Sequence, residues 1–254
     1  MEKIKLSDFP TAAPKGITKK EAKKELDKMA REIAHFQHIL YAEEKHSLLI
    51  VFQGMDASGK DGATRKVFKY CSPTGVSAYG FKKPTDLEFA HDFLWRVNKV
   101  TPPKGQIQIF NRSHYEDVLI QRVHNWIDEK TVSRRFKAIN AFEQNLVHDN
   151  NTTILKFYMH ISKKRQAEKL QERMDDPLKN WKHNPGDWEE RKHWDRYMFC
   201  YEEVLNRSKI PWFIVPVDSR WYRDYIIAKT ILQVMEDLNM KLPLLSTEDR
   251  KLPR

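Results

Sequence analysis

The stretch Gly54-Met55-Asp56-Ala57-Ser58-Gly59-Lys60-Asp61-Gly62 has the G-x-x-x-x-G-K spacing of a phosphate-binding loop. Gly54 and Gly59 allow a sharp turn and a close backbone approach that side chains would obstruct. The backbone of Gly54, Met55, Ala57, Ser58, Gly59, Asp61 and Gly62 is then the expected cradle for phosphates. It sits at a helix start, where the macrodipole favours negative charge. Lys60 adds a mobile cation for the outermost phosphoryl group. Five apolar residues, Leu48–Phe52, precede the loop and a helix-compatible run, Ala63–Tyr70, follows it. Asp61 stands where Ser or Thr commonly meets magnesium. Asp56 has two readings: it bridges a divalent cation to phosphate oxygens, or it only caps the following turn.

A second polar cluster ends another apolar run. Gln106–Phe110 leads straight into Asn111-Arg112-Ser113-His114-Tyr115-Glu116-Asp117. Arg112 can hold phosphate oxygens bidentately. Glu116 and Asp117 place carboxylates on a first helical turn, either for the site or to complement the dipole. Lys82 is a third cation at the same edge, or a surface lysine. Asp56, Lys60 and Arg112 are the expected catalytic set, with Asp56 as the metal ligand. The chemistry is charge stabilisation during phosphoryl transfer.

Positioning these residues requires alternating strands and helices. Strands are expected at Leu48–Phe52, Val76–Phe81, Gln106–Phe110, Thr153–Ile161 and Trp212–Val217. Helical patterns cover Leu87–Lys99, Val132–His148, Lys163–Met174 and about Arg223 to Leu238. This order predicts an α/β fold, a three-layer α/β/α sandwich around a parallel sheet, with ligands beyond the carboxyl ends of the strands. Before it lies an irregular lead of roughly sixteen residues. A capping box at Thr18 and Glu21 follows, then apolar residues from Ala22 to Leu40 at helical spacing. The expected organisation is a lead and amphipathic helix over 1–46, a kinase domain over 47–240, and a tail over 241–254.

The segment 174–207 interrupts the rhythm. It mixes Lys and Arg with aromatics, and its place after the fourth strand suits a lid that closes over phosphates. The other reading is a helical hairpin packed by Trp181, Trp188 and Trp194, its charges merely solvated.

The net charge of +10 and a pI near 9.4 favour polyanionic partners without naming one. No stretch approaches the ~20 apolar residues of a membrane span. The N-terminus lacks a secretory pattern, and Cys71 and Cys200 form no framework, so a cytoplasmic location is expected.

The loop, Phe81-Lys82-Lys83-Pro84-Thr85, His91-Asp92-Phe93-Leu94-Trp95-Arg96, Asn111 to Leu119, Arg173-Met174-Asp175-Asp176-Pro177 with Trp181-Lys182, and Pro211-Trp212 occur in this order. Together they resemble the polyphosphate kinase 2 family, P-loop kinase-like proteins with a thymidylate-kinase-like core and a helical lid. The resemblance implies Mg2+-dependent, reversible transfer between inorganic polyphosphate and AMP or ADP, with Mn2+ as a substitute ion. It implies adenine nucleotides as partners, with guanine nucleotides as an alternative, a homo-oligomer, and no nucleic-acid or membrane partner. Asp56, Lys60, Asn111, Arg112 and Arg173 match its functional positions, and Lys182 falls in its lid. Many relatives carry Asp where this chain has Asn111, which shifts metal binding to Asp56. His114-Tyr115-Glu116-Asp117 resembles the subgroup that accepts both mono- and diphosphates, so Glu116 is implied in acceptor choice. Lys163-Lys164-Arg165-Gln166 is more basic than the family pattern. Two rival readings stand beside this one: an ATP-dependent nucleoside monophosphate kinase, and a nucleic-acid-binding protein with a remnant P-loop.

Overall fold

The computed structural model describes residues 3–245; residues 246–254, most of the expected tail, lie outside the described residues. In chain order the elements are α1 (Lys19–Glu43), β1 (Ser47–Gln53), α2 (Lys60–Val67), β2 (Val76–Gly80), α3 (Asp86–Phe89), α4 (Trp95–Asn98) and β3 (Ile107–Asn111). A 3-10 turn (His114–Val118) follows, then α5 (Ile120–Val123), α6 (Glu129–Asn150), β4 (Thr152–His160), α7 (Lys163–Asp175), α8 (Pro185–Lys192), α9 (Trp194–Arg207), β5 (Trp212–Pro216) and α10 (Arg220–Asp237).

The five strands form one parallel sheet in the order β2-β3-β1-β4-β5. Central β1 is buried along all seven residues, as a strand covered on both faces must be. Its alternate residues feed two apolar layers: Leu48, Ile50 and Phe52 enter one, Leu49 and Val51 the other. The chain leaves β1 toward one side of the sheet and later returns on the other. The crevice of an open α/β sheet therefore falls at the carboxyl end of β1. There the register pairs Phe52 with Asn111, and the Arg112 N–H donates to the Phe52 carbonyl at 3.0 Å. The phosphate loop and the Arg112 segment are thus side by side.

Local chemistry sets the flanking elements. Thr18 and Glu21 close the expected capping box, and α1 ends at Glu44 in the left-handed region. α1 packs on α10 and α2. The lead is less irregular than expected: Leu6 is buried, and the Leu6 and Ile4 N–H groups donate to Glu202 and Asn206 of α9. The single helix expected over Leu87–Lys99 is two one-turn helices. Asp92 accepts from the Leu94 N–H at 3.0 Å, a local turn that competes with helical continuation, and His91 stacks on Trp95. Trp194 is buried, whereas Trp181 is 78% exposed, so the tryptophans of 174–207 do not form one packed cluster.

β4 carries a charge in its middle. Lys156 is fully buried and donates to Glu143 of α6 at 2.6 Å and to the Tyr115 hydroxyl at 2.7 Å. Glu143 also accepts from Tyr115 at 2.9 Å and faces His114 Nε2 at 3.1 Å. Burial opposes the Glu143 carboxylate, but His114 and Lys156 hold it below the ordinary glutamate value. This network pins the 3-10 turn immediately after Arg112. Removing one partner of a buried pair strands the other, at a cost of about 3–5 kcal/mol. Lys156→Met should lose stability of that size in urea unfolding; a loss below ~1 kcal/mol would contradict a structural role for the pair.

Candidate active site

The loop depends on Gly54 and Gly59 for different reasons. Gly54 has φ +147°, and a Cβ there would lie 2.8 Å from the Met159 carbonyl oxygen of β4. Gly59, at φ +96°, has the Arg223 guanidinium lying where its Cβ would be. Gly59 is also the N-cap of α2 and gives no side-chain cap, so the first amides of α2 are free for an external anion. Ala57 and Arg112 hold φ of 64° and 60°. Non-glycine residues in that region are strained, and strain of this kind gathers at functional sites.

At the centre, Arg112 Nη2 meets Asp56 Oδ1 at 2.5 Å. Burial opposes the Asp56 charge, but Arg112 and Lys60 outweigh it and keep the carboxyl below its usual range. Lys60 Nζ donates to the Gly54 carbonyl at 2.8 Å and the Met55 carbonyl at 3.3 Å. Burial lowers the Lys60 pKa and the Asp56 charge opposes that fall. Gln166 of α7 fixes the Asp56 backbone, its Nε2 donating to the carbonyl at 3.1 Å. Asn111 donates to the Asp61 carboxylate.

Asp56 and Arg112 line two cavities at once. The smaller, ≈ 220 Å³, is walled by Gly54, Met55, Glu116, Asp187, Glu190, Tyr197 and Tyr201. The Tyr197 hydroxyl donates to Glu190 at 2.6 Å, and burial raises both tyrosine pKa values so that each stays neutral. The larger, ≈ 1120 Å³, runs past Ala57, Gly59, Lys60, Asp61, Gly62 and Asn111. Its walls come from α1, α2, α7 and α10, and Lys and Arg outnumber Asp and Glu there by more than two to one. One cavity is aromatic and carboxylate-lined; the other is a cationic cleft.

Residues 16–243 match the family described as Polyphosphate kinase 2. The chain belongs to this family. It is 43% identical to an AMP/ADP-polyphosphate phosphotransferase of Meiothermus ruber, over 92% of this chain and 88% of that protein. It is 38% identical to an ADP-polyphosphate phosphotransferase of Rhodopseudomonas palustris, over 98% of this chain and 92% of that protein. The crystal structure of Polyphosphate Kinase 2 from Arthrobacter aurescens superimposes with a TM-score of 0.92 at 37% identity, covering 95% of this chain and 88% of that one.

Within this polyphosphate kinase 2 chain most of the expected site residues converge. Gly54, Met55 and Glu116 face the smaller cavity, while Ala57, Gly59, Lys60, Asp61, Gly62, Asn111, Arg173 and Lys182 face the cleft. Ser58 lines neither cavity; its buried hydroxyl has no partner among the described residues. Arg173 reaches Asp187 at 2.5 Å and the Lys182 carbonyl at 3.1 Å, while the Lys182 ammonium lies over the Trp181 ring. Two of the expected residues are not brought together with the others. Lys82 is exposed and lines neither cavity; its carbonyl receives Arg96, and it follows edge strand β2, one strand removed from β1. Asp117 is buried and also lines neither, held by Gln121 Nε2 at 2.6 Å and Arg96 at 3.5 Å. A 3-10 turn has three residues per turn, so Glu116 and Asp117 point in different directions. Residues missing from the expected set are Gln166, Glu190, Tyr197, Tyr201 and Arg223. They come from four helices far along the chain, α7, α8, α9 and α10, and share no local motif.

Burial dominates at Asp117 and pushes its pKa to about 6, despite Arg96 and Arg135. The folded value lies above an unfolded one of about 3.9, so the fold favours the protonated form. The carboxylate therefore costs stability above pH ~6, and that cost disappears as pH falls toward ~4. The Asp117 carboxyl carbon should titrate near pH 6 by 13C NMR in the native protein. A midpoint at the ordinary aspartate value, about 4, would contradict this placement.

Proposed function

We propose that the Asp56–Arg112 pair is the divide across which a phosphoryl group passes between polymer and nucleotide. Inorganic polyphosphate occupies the cationic cleft, and AMP or ADP occupies the smaller cavity. The observation that carries this reading is the shared wall between two cavities of opposite character. The carboxylates of Glu116, Asp187 and Glu190 repel a polyanion but suit ribose hydroxyls and base edges, with Tyr197 and Tyr201 as apolar surface.

In the forward step an oxygen of the nucleotide's terminal phosphate attacks the terminal phosphorus of the polymer. The bond from that phosphorus to its bridging oxygen breaks, and its electron pair stays with the shortened chain. AMP becomes ADP, ADP becomes ATP, and the same path runs in reverse. The attacking oxygen is anionic at neutral pH, so no strong general base is needed. Lys60, Arg112 and the loop amides hold the transferred group in line and balance its charge. Glu116 stands at the acceptor side of the wall and contributes to acceptor choice. Residues 174–207 act as the lid: Arg173 and Lys182 draw it over the cleft and exclude water.

The residues present fit a hard divalent cation. Among the described residues no group of three or more His, Cys, Asp or Glu is arranged to hold a metal. Mg2+ characteristically binds through one or two carboxylates plus substrate phosphates. Asp56, partly exposed and bordering both cavities, would hold it, with Asp61 nearby on the cleft side. When bound, Mg2+, or Mn2+ in its place, would neutralise phosphate charge at the point of transfer.

No helix among the described residues is long and apolar enough to cross a membrane. An ATP-dependent monophosphate kinase differs from this reading in its donor, so the donor is the test. With polyphosphate as sole donor, ADP should yield ATP measurable by luciferase, and chelation should stop it until Mg2+ or Mn2+ is restored. Lys60→Ala and Asp56→Ala should each cut turnover at least ~100-fold with an unchanged melting transition. Near-wild-type turnover in either variant would refute their assignment.

A further inference from the structure

Gln166 is fully buried in the first turn of α7, and the two ends of its amide serve different parts of the molecule. Nε2 donates to the Asp56 carbonyl at 3.1 Å, while Oε1 accepts from Arg191 Nη1 of α8 at 2.8 Å. This orientation is fixed by chemistry, because a guanidinium offers no acceptor and a carbonyl no donor. One amide therefore bridges the phosphate loop and the segment 174–207.

The two supports of that bridge differ. The first turn of α7 is tied to the sheet: Ser162 caps it by accepting from the Arg165 N–H at 3.1 Å, and the Ser162 N–H donates to Asp218 at 2.9 Å. Asp218 is held in turn by the Thr11 hydroxyl at 2.8 Å. α8 rests instead on side-chain contacts. Arg191 Nη1 also donates to the Lys163 carbonyl at 2.7 Å, Asp187 meets Arg173, and Glu190 lies 3.0 Å from His124 Nε2. Moving α8 takes Arg191 with it and leaves the Gln166 amide free to turn. The peptide that Gln166 holds joins Asp56 to Ala57, whose φ of 64° is disfavoured for alanine. Its loss would let that peptide relax and redirect the Asp56 side chain.

We propose that Gln166 and Arg191 are positioning residues that couple the seating of α8 to the geometry of Asp56. Only with α8 docked on α7 are the Gln166 donors held toward the loop. Transfer is then tied to the position of the lid, beyond its exclusion of water. This rests on the reading of Asp56 as the point of transfer and of 174–207 as the lid.

The test compares steady-state kinetics of Gln166→Met, Arg191→Met and the double variant, with ADP and long-chain polyphosphate. Each single variant should lower kcat about tenfold, the effect of a small misplacement at a reacting centre, while KM for either substrate shifts less than about threefold. The double variant should be no slower than the slower single one, because the two act as one connection. Gln166→Glu still accepts from Arg191 but cannot donate to Asp56, so it should be as slow as Gln166→Met. Arg191 is only half-buried, so Arg191→Met keeps the test open should the Gln166 variants fail to fold. Wild-type kcat in Arg191→Met or Gln166→Glu, losses that multiply in the double variant, or a rise in KM alone would overturn the coupling and leave the phosphotransfer reading intact. A wild-type enzyme inactive with every polyphosphate overturns that reading as well.

Discussion

The ion pair between Asp56 and Arg112 is the interaction on which the rest of the architecture converges. It joins two segments that are distant in sequence and adjacent only because β1 and β3 pair in parallel, with Phe52 opposite Asn111. A one-residue slip in that register would turn the neighbouring side chains to the opposite face. The wall between the cavities would then not exist. Sheet topology is thus upstream of the chemistry, and the burial of the central strand on both faces holds its register in place.

Around that pair the structure concentrates features that are costly elsewhere. Ala57 and Arg112 hold left-handed backbone, Lys60 is a buried cation, and Lys156 is a charge in the middle of a strand. The costs are offset by specific partners. The amide of Gln166 fixes the Asp56 carbonyl, and the Glu143–Tyr115–His114 network holds the turn that follows Arg112. A site that must stabilise several phosphate charges benefits from cations that are already immobilised, since no reorganisation is then needed during transfer. Strain and buried charge here are consistent with pre-organisation.

Much of this was legible in the chain itself. The five strands lie within a residue or two of the apolar runs that announce them, and the capping box at Thr18 and Glu21 starts α1 where expected. Local rules sufficed because periodicity and capping are local. Which of Glu116 and Asp117 faces the site was not legible, because that depends on how the turn His114–Val118 seats against the sheet, which no local pattern records. Lys156 looked like part of an apolar strand, since its partner Glu143 sits in the preceding helix with no motif to connect them. Arg223, Tyr197 and Tyr201 reach the site through tertiary packing alone. Trp181 is a different case: the reading of 174–207 as a hairpin packed by its tryptophans does not hold for it, because it is largely in solvent.

The most direct measurement is a crystal structure of the enzyme with AMP and a short, non-transferable polyphosphate analogue bound together. The account predicts the nucleotide beside Glu116 and Tyr201 and the analogue along Gly59, Lys60 and Asn111. Their nearest phosphates should meet across the Asp56–Arg112 pair. Both ligands on one side of that pair, or the polyanion among the carboxylates of the smaller cavity, would contradict it.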